Sequence, residues 1–518
     1  MQGLEKASSH HRIGSDQVIR VGHNAWKTGV ASKAGFLIDG AQYFRALADS
    51  LSRAQEQIFI IGWDFNPDIQ LIPEDQSSPT LGEFLISLVE NNSRLSIHIL
   101  VWAMGPIYSG KSLRMLGKTE LKSHPRIDLR LDTRHAVRGS HHQKMVVIDD
   151  ALAFIGGIDL TAKRWDTPEH RADQPLRRTP KGERYEPVHD LQMAVDGEAA
   201  EVAAEIARRR WWQATGEDLV RPRCYFHSFP PAARYVFSNC DVAFARTEPA
   251  IRRSTSVRET LQLTLDCLSR AERLIYIESQ YFASKDVADL LASRLSEPDG
   301  PEVVLISTLN SHGFLERKVL GENRDRMIRK LRQADRFGRF RAFYPVVPDE
   351  SRDDNCEEVL VHAKLIIVDD VFIRVGSSNL NQRSVGLDTE LDVAIEMHND
   401  KERQILTDMR NGLLGEHLGL PSADLAKAQD EAGSLVLALD RVNVGARGLR
   451  SFPVGDDEHG KTSLHFATGL VDPKAPWWPL QLVSIPFSMI KKIRRMAMSK
   501  AGLSRADGSQ RRMSANNS

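Results

Sequence analysis

Cysteine is scarce in this chain, and the sequence has neither a net charge nor a long apolar run. Four cysteines occur among 518 residues, without close pairs and without histidines at metal-ligand spacing, which argues against a disulfide framework and a structural zinc site. The 69 basic and 69 acidic residues cancel, so no overall field indicates nucleic acid as a ligand. We therefore expect a protein of a reducing compartment in which any anion site is built locally.

Signals for membrane spanning and export are also missing. No stretch reaches the roughly 18 apolar residues that a spanning helix needs, and residues 1–35 are polar without the apolar core of a signal peptide. A hydrophobic content of 41% and a charged content of 27% are typical of a soluble globular protein, and the length allows two substantial cores. These features predict a cytoplasmic or peripheral membrane protein.

The sequence does contain a repeated motif. Residues 140–149 read Ser-His-His-Gln-Lys-Met-Val-Val-Ile-Asp, and residues 360–369 read Leu-Val-His-Ala-Lys-Leu-Ile-Ile-Val-Asp. Both contain His-x-Lys-x4-Asp with an apolar run between the lysine and the aspartate. The six motif residues, all expected to serve the site, are His142, Lys144, Asp149, His362, Lys364 and Asp369. The chain thus supplies one catalytic half-site twice.

The repetition extends to the segments that flank each motif. A helix-then-strand pattern at residues 51–65 returns at residues 268–282, and short β-branched runs follow at 95–102 and 303–308. Strands that alternate with helices predict an α/β fold of two units, each with a central sheet flanked by helices. The expected organisation is an N-terminal extension (1–35), repeat 1 (36–235), repeat 2 (236–425) and a C-terminal extension (426–518).

Downstream of the motifs the two copies match but are not identical. Asp190 and Glu390 begin equivalent strands, 48 positions after His142 and 28 positions after His362 respectively. Repeat 1 therefore holds about 20 extra residues, centred on 166–187, whose arginine, proline and charge content predicts a surface loop.

The residue types of the motif favour chemistry on a phosphodiester. Histidine and lysine two positions apart on a strand point to the same face, so an imidazole is accompanied by a cation that suits a phosphoryl anion. Two facing half-sites suffice for displacement without a metal: one histidine attacks phosphorus while the other protonates the leaving alcohol and then activates the acceptor.

Carboxylates near the motifs are expected to assist. Each ring needs a partner on its other nitrogen, and Asp190 and Glu390 are the candidates because each begins an equivalent strand. We expect Asp149 and Asp369 at the far end of the motif strand, where they would hold the following turn and support the site. Glu278 either acts on the substrate side or is a polar residue at a strand end whose hydrogen bonds are made within the protein.

These motifs resemble the phospholipase D superfamily over roughly residues 36–425, and in particular its eukaryotic-type phospholipases. The resemblance rests on the motif pair, on Arg164-Trp165-Asp166, and on Glu-x-Gln-Tyr-Phe at 278–282. It implies mixed sheets, one active site at the interface of the two units, and a phosphohistidine intermediate on His142 without metal or cofactor. The superfamily's phosphate-binding Gly-Ser-x-Asn element matches Ser377 and Asn379, and the partner position in repeat 1 carries Asp159 where the family has asparagine. Glu278 and Gln280 are further candidates for substrate binding.

The leading functional hypothesis is a phospholipase D that cleaves the distal phosphodiester of glycerophospholipids to phosphatidic acid and a free alcohol. The alternatives are a phosphatidyltransferase of the cardiolipin synthase type, a nuclease of the same superfamily, and a lipid-binding scaffold without activity. We expect a phospholipid and not nucleic acid as the ligand, and a monomer is expected to suffice because one chain carries both half-sites.

The C-terminal extension ends in a basic segment. After the tryptophan pair at 477–478, apolar residues recur at helical spacing between lysines and arginines up to residue 498. Two interpretations stay open: a helix that packs on the domain with its basic face in solvent, or peripheral contact with an anionic membrane.

Overall fold

The computed structural model describes residues 17–103, 120–136, 139–223, 228–250, 255–310, 314–353 and 355–454. The elements of repeat 1, in chain order, are β1 (Lys27–Ile38), α1 (Asp39–Leu51), β2 (Gln57–Gly62), α2 (Leu81–Asn91), β3 (Ser96–Trp102), α3 (Glu120–Ser123), β4 (Ile127–Asp132), β5 (Met145–Ile148), β6 (Leu152–Gly156), β7 (Val188–His189), β8 (Leu191–Asp196) and α4 (Gly197–Thr215).

Repeat 2 follows the same plan. Its elements are β9 (Arg234–Glu248), β10 (Val257–Arg258), α5 (Glu259–Ser269), β11 (Leu274–Ser279), α6 (Lys285–Ser296), β12 (Glu302–Ser307), α7 (Phe314–Ala334), β13 (Phe340–Pro348), β14 (Cys356–Glu358), β15 (Leu360–Val361), β16 (Lys364–Val368), β17 (Phe372–Gly376), α8 (Gln382–Gly386), β18 (Glu390–Glu396) and α9 (Asp400–Leu418). The chain continues through α10 (Ser422–Ala432), α11 (Leu435–Val442) and β19 (Gly448–Ser451), and β19 pairs with β13.

The two repeats build equivalent mixed sheets that join at their edges. The strand order is β4-β3-β2-β5-β6-β8-β1 in repeat 1 and β13-β12-β11-β16-β17-β18-β9 in repeat 2. In each sheet the first three strands are parallel and the others antiparallel. Strands β1 and β9 pair antiparallel, with Ala31 opposite Cys240, so the sheet continues from one repeat into the other about a pseudo-twofold axis.

The motif strands are apolar along their whole length because both of their faces are buried. Met145 and Val147 of β5 face a central core shared by the repeats, whereas Val146 and Ile148 face the outer core of repeat 1. The same alternation holds in β16, where Leu365 faces the central core and its neighbours on the other face join the outer core of repeat 2. The central core also receives α4 and α9.

Helix α9 brings two polar side chains from repeat 2 into the interior. It begins after Asn399, whose side chain accepts a hydrogen bond from the Glu402 backbone at 3.0 Å. It ends at Gly419, whose φ of +67° is the left-handed conformation that glycine adopts freely. The last turn therefore holds Glu416 and His417 in fixed positions against repeat 1.

The predicted strands and the helices that close each repeat are present. Two expectations need correction. Strand β1 begins at Lys27 and belongs to the sheet of repeat 1, so this unit starts before the expected boundary at residue 36. The insert at 166–187 is irregular, as expected of a loop, but its Asp166, His170 and Arg177 are buried because they pair with one another.

None of the helices in the described part of the chain is both long and apolar enough to cross a membrane. The basic segment at 477–498 lies outside the described residues, so its expected membrane contact stays a prediction.

Candidate active site

The two motifs lie side by side where the repeats meet. The backbone N–H of His142 donates to the Thr389 carbonyl at 2.9 Å, and that of His362 donates to the His189 carbonyl at 2.7 Å. The short strands β7 and β15 pair in parallel at the second of these contacts. Each motif histidine is thus tied to the residue that precedes the strand-start carboxylate of the other repeat.

Those carboxylates pair with the histidines across the repeats. His142 Nδ1 lies 2.9 Å from Glu390 Oε2, and His362 Nδ1 lies 2.6 Å from Asp190 Oδ2, both within hydrogen-bond distance. A carboxylate on Nδ1 fixes the orientation of the ring and leaves Nε2 as the nitrogen that acts on a substrate. The structure therefore places both proposed carboxylates on a histidine, in a crossed arrangement that each repeat alone could not form.

The lysines lie beside the rings. Lys144 Nζ donates to the His142 carbonyl at 3.0 Å and lies 3.4 Å from Asp159 Oδ2. Lys364 Nζ donates to Gln280 Oε1 at 3.2 Å and lies 3.3 Å from His362 Nδ1. Both lysines are almost fully buried, so two cations lie in a region of low dielectric, which favours an anionic ligand.

The electrostatics of the site are those of an anion receptor. Burial, together with the nearby lysines, holds the pKa of both motif histidines well below its usual value, so the rings are neutral near pH 7. Burial also lowers the pKa of Lys364 to about 7. Arg164, which the sequence reasoning did not select, adds to the positive potential that lowers the pKa of His362. A bound phosphodiester would offset these cations and make protonation of a ring easier.

The two orienting carboxylates are shifted in the opposite direction. Burial, together with the nearby Asp388, raises the pKa of Glu390 to about 8. Burial also raises the pKa of Asp190.

Comparison with known proteins bears on this arrangement. The family model described as phospholipase D matches residues 50–288, and the model described as cardiolipin synthase, PLD-like domain, matches residues 264–410. Together they span both His-x-Lys-x4-Asp motifs. The chain belongs to the phospholipase D superfamily.

Curated members of the superfamily align over much of the chain at low identity. Phospholipase D1 of Schizosaccharomyces pombe is 24% identical over 81% of this chain and 37% of its own length. Phospholipase D gamma 2 of Arabidopsis thaliana is 22% identical over 80% of this chain and 68% of its own. A shorter match, 34% identical, covers 27% of this chain and 15% of phospholipase D2 of Bos taurus. The aligned part is thus little more than a third of the fungal relative.

Among solved structures, phosphatidylserine synthase of Haemophilus influenzae matches with a TM-score of 0.48 and 14% identity over 74% of this chain and 86% of that one.

The superfamily's motif aspartates lie away from the histidines. Asp149 accepts hydrogen bonds from the backbone N–H groups of residues 55, 56 and 57 at 2.6–2.8 Å, and Asp369 accepts from those of residues 272, 273 and 274 at 2.7–2.8 Å. Seven residues of extended chain place them roughly 20 Å from the ring end of the motif. Both aspartates lie at the far end of the motif strand, as expected. They are not catalytic residues, because each one holds the loop before β2 or β11 instead of contacting the histidines.

Ser377 and Asp159 contact the active groups. Ser377 Oγ donates to Glu390 Oε2 and so holds the carboxylate that orients His142. Asp159 accepts the Trp63 backbone N–H at 2.8 Å and lies beside Lys144, so it positions that lysine. In both cases the contact seen is to a catalytic side chain, and direct phosphate binding stays a prediction.

Asn379 and Gln280 remain candidates for the substrate. The Asn379 Oδ1 atom is buried and has no hydrogen-bond partner among the described residues, which leaves its amide group open to a ligand. Gln280 lies in the site through its contact with Lys364.

Glu278 does not lie on the substrate side. Its carboxylate is fully buried and hydrogen-bonds to His189 Nε2 and His417 Nε2, each at 3.0 Å, and to the hydroxyl of Tyr276. Of the two interpretations of Glu278, these contacts match the polar group whose hydrogen bonds are made within the protein, because the strand face that carries it points into a cluster of buried histidines and carboxylates. The sequence reasoning gave His189 no role, although its place directly before Asp190 was a signal.

Proposed function

We propose that this protein is a phosphodiesterase, and specifically a phospholipase D that hydrolyses the distal phosphodiester of glycerophospholipids to phosphatidic acid and a free alcohol. The observation that carries the proposal is the crossed arrangement, in which two carboxylate-oriented histidines and two buried lysines share one site. The names of the aligned relatives favour a phospholipid over other phosphodiesters.

The first half of the reaction forms a phosphohistidine. Nε2 of His142 attacks phosphorus as the bond to the headgroup oxygen breaks, and the protonated Nε2 of His362 gives that oxygen its proton. The lysine ammonium groups offset charge on the non-bridging oxygens in the transition state. We assign the attack to His142 because its side chain is 16% exposed and that of His362 is 6% exposed, so His142 is the more accessible ring.

The second half releases the product. His362, now neutral, removes a proton from water, whose oxygen attacks phosphorus and breaks the bond to His142 Nε2. Phosphatidic acid leaves, and His362 is again protonated. An alcohol in place of water gives a phosphatidyl alcohol by the same steps.

A second candidate function is transfer of the phosphatidyl group to an alcohol in place of water. The model that matches residues 264–410 is described as cardiolipin synthase, which favours a phosphatidyltransferase with a lipid alcohol as acceptor. The two candidates differ only in the acceptor, so the products distinguish them.

The test uses the full chain with vesicles of mixed phospholipids and a short primary alcohol, and mass spectrometry of lipids and headgroups. We expect phosphatidic acid and phosphatidyl alcohol from the native chain and from His398→Ala, an exposed control, and neither product from His142→Ala or His362→Ala. Cleavage of DNA or RNA without lipid turnover would refute the proposal, and transfer to a lipid alcohol without hydrolysis would support the second candidate.

We also propose that the basic segment at 477–498 brings the enzyme to anionic membranes. Deletion of residues 477–518 should reduce sedimentation with anionic liposomes and leave hydrolysis of a short-chain soluble phospholipid unchanged. Unchanged sedimentation would exclude this role.

A further inference from the structure

A second cluster of chemically active side chains lies next to the catalytic site. Four segments contribute one ligand-type side chain each: the start of α1, the insert of repeat 1, the end of β7, and the last turn of α9. Their residues are Asp39, His170, His189 and Glu416. The first three side chains are at most 1% exposed and that of Glu416 is 10% exposed, so the cluster is nearly closed to solvent.

The four ligand atoms lie at the separations expected around one metal ion. They all fall within 4.8 Å of one another. His170 Nε2 lies 3.2 Å from Glu416 Oε1 and 3.7 Å from Asp39 Oδ2, and His189 Nδ1 lies 2.8 Å from Glu416 Oε1 and 3.1 Å from Asp39 Oδ1. A tetrahedral zinc ion with bonds of about 2.0–2.1 Å separates its ligand atoms by about 3.3 Å. The observed distances scatter around that value.

Two of these atoms have no hydrogen bond, although they are buried. His189 Nδ1 has two carboxylate oxygens within 3.1 Å, yet it makes no hydrogen bond of acceptable geometry with the described residues. Asp39 Oδ2 is likewise without a hydrogen-bond partner there. Buried polar atoms are rarely left in this condition. The other two ligand atoms, His170 Nε2 and Glu416 Oε1, lie 3.2 Å apart, within hydrogen-bond distance of each other. A metal ion between the four side chains would bind all of these atoms.

The outer contacts of the histidines agree with metal ligation. His170 Nδ1 lies 3.0 Å from Asp166 Oδ2, and His189 Nε2 lies 3.0 Å from Glu278 Oε2. Each histidine therefore has a carboxylate on the ring nitrogen that faces away from the cluster. Carboxylate-histidine-metal triads of this kind fix the tautomer and orientation of ligating histidines.

The simplest alternative is a network of protons and ion pairs without a metal. Arg177 pairs with Asp166, which leaves Asp39, Glu278 and Glu416 to be balanced by three histidines, including His417. Such a network would pair a protonated His189 Nδ1 with Asp39 and Glu416, but it would leave the buried Asp39 Oδ2 without a hydrogen bond. A divalent cation would balance the carboxylates and bind both atoms.

We propose that Asp39, His170, His189 and Glu416 form a structural site for a divalent transition-metal ion, with Zn²⁺ the best match. Two imidazoles and two carboxylates in a tetrahedral set suit zinc, whereas Ca²⁺ and Mg²⁺ prefer six or more oxygen ligands. The absence of cysteine pairs, from which the sequence argues against structural zinc, does not bear on a site of this composition.

The site would hold the catalytic pair that lies beside it. His189 directly precedes Asp190, and its carbonyl accepts the backbone N–H of His362. Because Glu416 comes from repeat 2 and the other three ligands from repeat 1, the ion would also join the two repeats. Loss of the metal should therefore reduce stability as well as the order of the His362–Asp190 pair.

The first test measures metal content and does not depend on activity. The purified full chain, grown with zinc in the medium, should contain one zinc per chain by inductively coupled plasma mass spectrometry. His170→Ala and Glu416→Gln should lose most of it, and His398→Ala should keep it. Absence of zinc from the native chain, or full zinc content in both ligand variants, would overturn the proposal.

A second measurement covers the case in which the variants fail to fold. The native chain, stripped with a chelator, is titrated with ZnCl₂, CoCl₂, CaCl₂ or MgCl₂ while Tm is recorded. We expect Zn²⁺ and Co²⁺ to raise Tm, since a ligand that binds only the folded state stabilises it, and Co²⁺ to give the visible absorption of a tetrahedral complex. A rise with Ca²⁺ or Mg²⁺ alone, or with none of the ions, would refute the assignment.

Discussion

The crossed pairs predict that Glu390 and Asp190 serve different chemical steps, nucleophilic attack and proton transfer respectively. Glu390 orients the histidine assigned to attack, and Asp190 orients the histidine assigned to protonate the leaving group. The hydrogen bonds concerned measure 2.9 and 2.6 Å, and each becomes charge-assisted as its ring gains positive charge during the reaction; Glu390→Gln and Asp190→Asn replace them by neutral ones. The loss of about 1.5–3 kcal/mol per charged hydrogen bond corresponds to a rate reduction of roughly 10- to 150-fold.

A comparison of leaving groups separates the two roles. With phosphatidylcholine the departing alkoxide needs a proton, so both variants should lose kcat/KM by that factor. With a phosphatidyl nitrophenol the phenolate leaves without protonation. In the first turnover Asp190→Asn should therefore release nitrophenol nearly as fast as the native chain, and Glu390→Gln should stay slow. The assay is stopped-flow absorbance for nitrophenol and choline release for the natural lipid.

The control is Glu396→Gln, a matched change at the other end of β18, where the carboxylate accepts the backbone N–H groups of Val18 and Ile19. It should leave both rates unchanged. If Asp190→Asn slowed both substrates and Glu390→Gln spared the nitrophenol ester, the roles of the two histidines would be reversed. If neither variant slowed either substrate, the crossed pairs would have no part in catalysis.

Three further predictions concern support, packing and protonation. Asp149→Ala should lower the free energy of unfolding by about 2–4 kcal/mol, because three backbone N–H groups lose their acceptor. The loss would be measured as a lower urea midpoint. A loss of kcat without loss of stability would contradict this prediction. Gly157→Ala should reduce kcat about as much as Asp190→Asn, because the new Cβ would lie 2.2 Å from Asp190 Oδ1. Its control is Gly321→Ala, whose new Cβ meets open space and should leave kcat unchanged. For an alkyl leaving group, kcat/KM should rise about tenfold per unit as pH falls from 8 towards 6, since both catalytic histidines have a lowered pKa and the acid must be protonated; a rate that rises with pH in this range would refute that assignment.

The sequence was most informative where function depends on local spacing. Histidine and lysine two positions apart stay neighbours in any extended segment, so the motif pairs could be recognised before the fold was known. The apolar runs predicted buried strands, and the two copies predicted two units with one shared site. The insert at 166–187 was harder to interpret, because the polar composition that is typical of a surface loop also describes the buried ion pairs of Asp166, His170 and Arg177.

By itself, the sequence determined the motif residues, the buried strands and helices that flank each motif, and the duplication. Only the tertiary structure decided which carboxylate meets which histidine, because Glu390 lies 248 positions from His142, and Asp190 lies 172 positions from His362. Such contacts depend on how the two sheets join through β1 and β9. The same holds for the buried histidine and carboxylate cluster, whose four segments are distant in the chain and meet only when α9 packs on repeat 1. Local periodicity carries no information on contacts between repeats, since these depend on the packing of whole elements.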